Sequence, residues 1–432
     1  MKAKIILVIL LSLTIGLSAC SSPSEEGEEH TTNGNGSDLH TPTPTPEPPP
    51  DPSPSPDPEP PPATPEPEPE PIVTQTPDVI MPFNEEITAM ELARDMRAGW
   101  NLGNTLDARL APAASPIVSS QETAWGNPIT SREMINLLAD TGFSSLRIPV
   151  TWERFIGPAP DYFLDTALLD RVQQLVDYAY DAGLSYIIIN THHETWNFPS
   201  SDNTEAVKIL DRLWRQVAAR FAGYDERLVF ESMNEPRMFG TGQEWTGGTE
   251  EARNVINSWN HEFIRTIRDT GYNNEKRFLL IPTIAASGDP IAVESMWIPS
   301  DPRVLISIHA YTPYDLVLNT RSERNTFSPN EPNDTDPIDA LFDRLYNRFI
   351  SQGTAVVMGE MGFLNKNENT RARVAWTEYY TARAAEIGIP CFWWDNGIRS
   401  ASGTTEAFGI MNRLDVAWWF PEIAEAMLKN YR

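Results

Sequence analysis

The sequence is poor in cysteine and in basic residues for its length. Its 432 residues contain only two cysteines, Cys20 and Cys391, which lie far apart in the sequence. There is thus no closely spaced cysteine pair of the kind used in zinc sites, and stability must come from the packed core. Lys and Arg total 33 against 60 Asp and Glu, which gives a formal net charge of -27. Because nucleic acids are bound through basic surfaces, this charge argues against a nucleic-acid partner.

Several short motifs of common enzyme classes are also missing. There is no G-x-S-x-G stretch of a serine esterase, and "GWNLGNT" has neither the spacing nor the lysine of a phosphate-binding loop. The stretch "HHE" lacks the helical spacing of a zinc protease motif. We therefore expect no catalytic metal and no cofactor.

Only the N-terminus carries a long apolar run. Residues 1–20 place two lysines before "IILVILLSLTIGL", which is short for a membrane span and typical of a secretory signal peptide. The run ends in "LSAC", which resembles a lipoprotein processing site with Cys20 as the lipidated residue. We expect a membrane-anchored surface lipoprotein; the alternative is an ordinary cleaved signal that happens to contain a cysteine.

Residues 21–80 form a spacer by composition. They contain thirteen Asp and Glu and no Lys or Arg, and much of the segment alternates proline with small or acidic residues. Such a sequence cannot bury a core and favours extended polyproline II conformation. The predicted spacer separates the lipid anchor from the rest of the chain, residues 83–432.

Residues 83–432 repeat one pattern, in which an amphipathic segment ends near a glycine and a short apolar run follows. The glycines suit left-handed helix caps, and the apolar runs suit strands that are buried on both faces. With "AGWNLGN" and "VLISIHAY" there are eight strand candidates, which predicts a (β/α)8 barrel; an open doubly wound sheet is the alternative. The six glycines are Gly142, Gly183, Gly223, Gly271, Gly353 and Gly388.

Polar residues follow the predicted strands. In such barrels the C-terminal strand ends build the active site, and burying this many polar groups costs desolvation energy that a purely structural core would avoid. The residues at these ends are Arg147, His192, His193, Asn234, Glu235, His309, Tyr311, Glu360 and Trp394.

Two carboxylates at a barrel mouth match the chemistry of glycoside hydrolysis, in which one is the proton donor and the other supports the transition state. Glu360 lies on a strand that can approach Arg147 and Tyr311, which would favour its ionised form. Its charge would then raise the pKa of Glu235, so that this residue holds a proton. The pattern predicts Glu235 as acid/base and Glu360 as nucleophile. Glu231 lies deeper in the same strand as Glu235, and we interpret it as a buried partner for a basic residue.

Taken in order, "LRIPVTW", "NTHHE", "MNEP", "HAY", "GEMG" and "WWDNG" resemble the motifs of glycoside hydrolase family 5, the cellulase family of retaining (β/α)8 enzymes. "GWNLGNTLDA" and "ETAWGNP" further resemble its branch of endoglucanases, xyloglucanases and lichenases. The resemblance implies acid/base Glu235 and nucleophile Glu360. It also implies substrate-holding roles for Arg147, Asn234, His309, Tyr311 and Trp394, for His192 with His193 on the same wall, and for Asn101 and Trp125.

Aromatic residues after the strand candidates are typical of a groove that binds a sugar polymer, because flat rings stack on pyranoses. The candidates are Trp152, Trp196, Trp245, Trp394 and Phe239, whereas Trp214, Trp259 and Trp376 fall on predicted helices and are expected to pack in the core. The long polar segment that begins "TPYDLVLNT" after strand six is expected to form one wall of the groove.

The sequence thus predicts a retaining endo-β-1,4-glucanase that acts as a monomer on a β-glucan. Xyloglucan, mixed-linkage glucan, mannan or xylan are alternative substrates. A carbohydrate-binding surface lipoprotein without activity is the alternative of another class, and it is disfavoured because a binding protein does not need both glutamates.

Overall fold

The computed structural model describes residues 76–111, 116–400 and 404–432. The predicted signal peptide, the lipidation site at Cys20 and nearly all of the predicted spacer lie outside these residues. No helix within the described ranges is long and apolar enough to cross a bilayer.

Eight parallel strands close into a barrel, in which each strand pairs with the next and the first pairs with the eighth. This closure confirms the predicted (β/α)8 fold over the open doubly wound sheet. The barrel strands are β1 (Ala98–Leu102), β2 (Ser145–Ile148), β3 (Tyr186–Asn190), β4 (Leu228–Glu231), β5 (Leu279–Ser287), β6 (Val304–His309), β7 (Val356–Met361) and β8 (Cys391–Asp395).

Helices alternate with the strands, and a small antiparallel pair, β9 (Met411–Asn412) and β10 (Ala417–Trp418), follows the last barrel strand. The helices are α1 (Ala89–Met96), α2 (Val118–Glu122), α3 (Arg132–Thr141), α4 (Thr166–Asp181), α5 (Thr204–Arg220), α6 (Glu250–Arg268), α7 (Pro290–Ser295), α8 (Tyr314–Val317), α9 (Pro332–Arg348), α10 (Thr370–Glu386) and α11 (Pro421–Lys429).

Burial explains why the apolar runs become barrel strands. Every residue of β3, "YIIIN", is buried, because one set of side chains fills the barrel and the alternate set packs against the helices. Trp214, Trp259 and Trp376 are fully buried on α5, α6 and α10, which confirms their predicted packing role.

The glycines at helix ends bear out the capping pattern at four of six positions. Each of these four has a φ between 78° and 109° at or directly after a helix end, a conformation that is strained for residues with a side chain. They are Gly142, Gly183, Gly353 and Gly388.

The other two glycines do not form left-handed caps, so the prediction is wrong for them. Gly271 combines a φ of 74° with a ψ of -171°. Gly223 is needed for space, because a Cβ atom there would lie 2.1 Å from the carbonyl oxygen of Val79. The chain therefore already contacts the barrel within the last residues of the predicted spacer, and Met81 N, directly after the spacer, donates to Gly223 O at 2.8 Å.

Helix α1 closes the N-terminal end of the barrel. Thr88 and Glu91 form a capping box at its start, and the apolar face of the helix joins a cluster with inward-facing strand residues. Leu92 and Met96 pack in this cluster with Ile188, among others. With this end sealed, the opposite end of the barrel is the one available to a ligand.

Irregular pairing shapes that open end. Strand β5 shifts register against β6 between Pro282 and Ser287, where Ala285 has a φ of 54°. Strand β6 shifts against β7 so that His309 pairs with Glu360. The second shift makes two chemically important residues direct neighbours.

Candidate active site

One buried guanidinium joins the strands at the mouth of the barrel. Arg147 on β2 donates from Nε to Oε2 of Glu231 at 2.7 Å and from Nη1 to Oε1 of Glu360 at 2.8 Å. Its Nη1 also donates to Oδ1 of Asn101 at 2.9 Å, and its Nη2 donates to Oδ1 of Asn234 at 2.7 Å. Arg147 therefore fixes one candidate catalytic carboxylate and the amide beside the other.

Glu231 supports Arg147 from below. Its side chain is fully buried, Oε1 accepts from Ser307 Oγ at 2.5 Å, and Oε2 accepts from Asn190 Nδ2 at 3.0 Å in addition to Arg147. A buried ion pair is tolerated when its remaining polar atoms are hydrogen-bonded, as they are here. The structure confirms that Glu231 is the buried partner of a basic residue.

The two candidate catalytic carboxylates face each other across the mouth. Glu235 follows β4 and Glu360 lies on β7, and a carboxylate oxygen of one lies within 4.8 Å of a carboxylate oxygen of the other. Retaining glycosidases hold their carboxyl groups about 5–5.5 Å apart, whereas inverting enzymes need about 6.5–9.5 Å to admit a water molecule. The separation fits the retaining geometry.

Both carboxylate oxygens of Glu360 are held in place. Oε1 accepts from Arg147, and Oε2 accepts from the hydroxyl of Tyr311 at 3.0 Å. Burial and the nearby charge of Glu360 raise the pKa of Tyr311 well above its ordinary value, so this phenol stays a hydrogen-bond donor.

Glu235 has a different partner, His309. The Nδ1 atom of His309 lies 2.9 Å from Oε1 of Glu235 and 3.7 Å from Oε1 of Glu360. Burial lowers the pKa of His309, but the neighbouring glutamate charges and the hydrogen bond to Glu235 outweigh it, so its pKa is raised. The imidazolium form of His309 is therefore stabilised between the two acids.

The pKa order of the two glutamates differs from the sequence-based expectation. Burial raises the pKa of Glu235, yet the hydrogen bond and charge of His309 and the charge of Arg237 bring it below the ordinary value. The pKa of Glu360 is raised, because burial disfavours its charged form and the charge of Glu235 acts in the same direction. The charges of His309 and Arg147 lower this pKa but do not offset the rise. The expected rise in the pKa of Glu235 is wrong, because the sequence did not place the hydrogen bond from His309 on this carboxylate.

Two adjacent histidines and a tryptophan form one side of the site. His192 stacks on Trp394 with ring centroids 5.7 Å apart and an interplanar angle of 3°, and His193 meets His192 edge-on at 4.4 Å. Burial lowers the pKa of both histidines, so their neutral forms are favoured. Both line the cleft, as the sequence predicted.

Asn101 is wrongly predicted as part of the sugar-binding surface. It is fully buried, its Nδ2 donates to Gly359 O at 2.9 Å, and its Oδ1 accepts from Arg147. Its side chain instead holds the guanidinium of Arg147 in place. Trp125 is 39% exposed, and its ring centroid lies 5.4 Å from that of His193. Its role in sugar binding stays a prediction.

The aromatic candidates separate into buried and accessible rings. Trp152 is fully buried and donates from Nε1 to Asn190 O at 2.8 Å, so its predicted stacking role is wrong. Trp196 is half-buried and donates to Glu194. Trp245 is 57% exposed and lines the cleft together with Trp394.

These residues surround an open cleft of about 810 Å³. The segment after β6 contributes Tyr314, Leu318 and Thr320, which confirms its predicted position as a wall. Pro337, the last residue of that predicted segment, also lines the cleft. Sequence reasoning missed other parts of the lining, which no motif marks. These residues include Ser287 at the end of β5, Asp289, Arg344, Glu406 and Phe408.

A buried ion pair fixes the loop that carries Glu406 and Phe408. Asp395, the last residue of β8, accepts from Arg413 Nη2 at 3.0 Å and from the backbone N–H groups of Ile410 and Met411. Arg413 also donates to Gly103 O at 2.8 Å, which joins this loop to the one after β1. This network ties Ile410, Met411 and Gly103 to the end of β8.

Two groups of side chains in the described residues are close enough to share a metal ion, each with ligand atoms within 4.8 Å of one another. One comprises Asp107, His192 and His193, and the other comprises Glu235, His309 and Glu360. In the second group, both carboxylates already have hydrogen-bond partners: His309 for Glu235, and Arg147 and Tyr311 for Glu360. The expectation of no catalytic metal stays a prediction.

A (β/α)8 barrel with two facing carboxylates in an open cleft has the geometry that glycoside hydrolases use. Residues 107–400 match the family model described as "Cellulase (glycosyl hydrolase family 5)". This chain belongs to glycosyl hydrolase family 5.

Several curated proteins are similar to this chain over most of its length. Endoglucanase A of Ruminococcus albus is 41% identical over 348 residues, which cover 80% of this chain and 93% of that protein. Cellulase/esterase CelE of Acetivibrio thermocellus is 43% identical over 356 residues, which cover 82% of this chain but only 42% of that longer protein.

Solved structures agree with the family assignment. A GH5-4 broad specificity endoglucanase from Ruminococcus champanellensis with bound cellotriose has a TM-score of 0.76 and 41% identity; the match covers 80% of this chain and 99% of that one. A GH5 family lichenase from Caldicellulosiruptor sp. F32 has a TM-score of 0.75 and 36% identity, covering 83% and 99% of the two chains.

Proposed function

We propose that this chain is a retaining endo-β-1,4-glucanase. The observation that carries the proposal is the close approach of Glu235 and Glu360, within 4.8 Å, at the base of an open cleft. The endoglucanase names of its relatives and the cellotriose bound to a similar structure support a β-glucan as substrate.

Glu360 is the nucleophile in this proposal. Its oxygens are oriented by Arg147 and Tyr311, so the carboxylate needs no reorganisation before it attacks the anomeric carbon. In the first step a bond forms between a Glu360 oxygen and that carbon while the glycosidic C–O bond breaks. The leaving oxygen takes a proton, and the sugar on the donor side remains covalently bound to Glu360.

Glu235 and His309 supply this proton together. The lowered pKa of Glu235 and the raised pKa of His309 favour a proton on His309, whose Nδ1 atom is 2.9 Å from Oε1 of Glu235. Transfer along this hydrogen bond protonates Glu235, which then donates to the leaving oxygen. In the second step Glu235 accepts a proton from the water that attacks the anomeric carbon, and Glu360 is released.

Asn234 orients the sugar in the site between the two acids. Its Oδ1 accepts from Arg147 at 2.7 Å, which directs the Nδ2 group away from the guanidinium. Because Asn234 lines the cleft, this amide is available to a sugar hydroxyl, and a hydrogen bond there strengthens as charge develops.

The openness of the cleft favours cutting within a chain. Residues from the loops after β3, β4, β5, β6 and β8 line it, which leaves room for sugars on both sides of the cleavage point. Mixed-linkage glucan is a second candidate substrate, supported by the similar structure named a lichenase. Xyloglucan, mannan and xylan are the remaining candidate substrates, and a direct comparison of the polymers decides among them.

We also propose that the enzyme is tethered to the outer face of a bacterial membrane through a lipid on Cys20 and acts as a monomer. The support for the anchor is the sequence "LSAC" after an apolar run, followed by the acidic proline-rich spacer. The monomer is proposed because the catalytic pair already has its hydrogen-bond partners within the chain, so the proposed reaction requires no residue of a second copy.

The test is product release by the chain from residue 21 onward, compared with its Glu360→Gln variant. The substrates are unbranched β-1,4-glucan, xyloglucan, mixed-linkage glucan, mannan and xylan. We expect the parent chain to release mixed short oligomers from β-1,4-glucan and the variant to release almost none. Binding without release from any polymer would instead support the surface-binding protein.

A further inference from the structure

Arg237 lies two residues after Glu235 and contacts it in two ways. Its Nη1 atom donates to the main-chain oxygen of Glu235 at 3.0 Å and lies 3.5 Å from the carboxylate atom Oε2. The side chain of Arg237 is only 18% exposed, so water screens this charge weakly. None of the reaction steps proposed for Glu235 and Glu360 uses Arg237.

The same guanidinium packs against two aromatic rings. The Cζ atom of Arg237 lies 4.3 Å from the ring centroid of Trp245 and 5.5 Å from that of Phe239. The rings are 57% and 62% exposed, which is high for large apolar side chains. We call these two rings the aromatic wall; its Trp245 lines the cleft.

Glu244 completes the arrangement. Its Oε1 accepts from Nε of Arg237 at 2.9 Å, and its Oε2 accepts from the backbone N–H of Gly240 at 2.9 Å. One carboxylate thus ties the guanidinium to the loop between Phe239 and Trp245. Because Glu244 holds the Nε atom of the guanidinium and two aromatic rings pack against it, Arg237 has little freedom to move away from Glu235.

We infer that Arg237 is a positioning residue that couples the carboxylate of Glu235 to the aromatic wall, so that one guanidinium sets both the acid/base group and the surface beside it that receives sugar rings. The inference rests on the proposed function of Glu235 as acid/base. Trp245 lines the cleft and lies on the loop that directly follows Glu235, so the aromatic wall is close to the proposed acid/base group.

The charges that surround Glu235 come from several elements. His309 on β6 and Arg237 after β4 are the cationic groups, and Glu360 on β7 is the nearest anion. His193 after β3 and Glu406 after β8 also act on this carboxylate or its neighbours. Because the charge of Arg237 lowers the pKa of Glu235, loss of this charge would raise the pKa at which Glu235 and His309 lose their shared proton.

Two substitutions separate the electrostatic effect of Arg237 from its positioning effect. Arg237→Lys keeps the charge but loses the planar contact with the rings and the fixed hydrogen-bond geometry. We expect it to raise KM for cellotetraose and longer oligomers about five- to tenfold and to leave the pH dependence of kcat/KM nearly unchanged. Arg237→Met should raise KM similarly and also move the basic limb of the pH profile to higher pH.

Arg268→Met is the matched control. Arg268 has a side chain 19% exposed, an ion pair to Asp301 at 2.9 Å and a hydrogen bond to Asn274 O at 2.7 Å. These contacts parallel those of Arg237, yet they lie at the C-terminal end of α6, away from the cleft. A general effect of removing a half-buried arginine would therefore appear in this variant as well.

The outcomes distinguish this inference from the proposed function. If the parent chain and Arg268→Met show no glucanase activity, the proposed function fails. If both are active and Arg237→Met keeps the parent KM and basic limb, the coupling by Arg237 is wrong. A raised KM in both Arg237 variants, with a shifted basic limb only in Arg237→Met, supports it.

Discussion

The Nδ1 atom of His309 lies 2.9 Å from Oε1 of Glu235, so the proposed acid/base group shares its proton with an imidazole. Replacing His309 with glutamine keeps a polar side chain but removes the ionisable group. We expect kcat on cellotetraose to fall by about 10²-fold, which is the lower end of the contribution of general acid catalysis.

The leaving group distinguishes proton supply from a general structural effect. A dinitrophenyl glycoside needs no protonation when it departs, so His309→Gln should lose much less activity on that substrate. The measurement is the ratio of the two rates in the parent and the variant. An equal loss on both substrates would show that His309 acts mainly on the structure of the site.

Tyr311 controls the acidic side of the pH profile through Glu360. Burial raises the pKa of Glu360, and the nucleophile must be ionised, so activity is present above this pKa and is lost as pH falls through it. Tyr311→Phe removes the hydrogen bond to Oε2, which favours the ionised form. We expect the acidic limb of kcat/KM to move to higher pH and kcat to fall about tenfold.

The control for this change is Tyr379→Phe. The hydroxyl of Tyr379 also donates to a carboxylate, that of Asp339, but it does so on the outer helices α9 and α10. This variant should keep the parent pH profile. An unmoved acidic limb in Tyr311→Phe would contradict the role given to the phenol.

The buried pair of Arg147 and Glu231 should dominate the stability of the barrel mouth. Glu231→Gln leaves the guanidinium buried without its strongest partner, and such a loss costs about 3–5 kcal/mol in the free energy of unfolding. Denaturant unfolding checks the value. Asp170→Asn breaks an exposed pair with Arg220 and should change stability little; equal effects of the two substitutions would refute the expectation.

The lipid anchor is tested by Cys20→Ser. Without the thiol no lipid can be attached, so the full chain should leave the membrane fraction and remain active in solution. Fractionation of cells that express the two forms checks this. Membrane association of the variant equal to that of the parent would contradict the anchor.

Much of this architecture could be predicted from the sequence because each barrel strand is marked by its own residues. The apolar run "YIIIN" predicts a buried strand, and a polar group after such a run predicts the open end of the barrel. Gly223 resembles the other glycines in its local sequence, but a glycine is needed there because a side chain would collide with Val79, a residue far away in the chain. Local patterns cannot distinguish these two uses of glycine.

The electrostatics of the site could not be predicted, because they depend on contacts between strands. The register shift between β6 and β7 sets His309 beside Glu360, and its ring then reaches Glu235. Asn101 belongs to a motif that suggests sugar binding, yet its amide hydrogen-bonds to Arg147 and to the main-chain oxygen of Gly359. Side-chain direction at a strand end decides such cases, and the sequence does not specify it.

Trapping of the covalent intermediate tests the central claim most directly. A 2-fluoro cellobioside with a good leaving group would be incubated with the enzyme, and the labelled peptide would be located by mass spectrometry. We predict one fluorocellobiosyl group on Glu360, with retention of configuration in the released product. A label on Glu235, or no label together with an inverted product, would contradict the double displacement through Glu360.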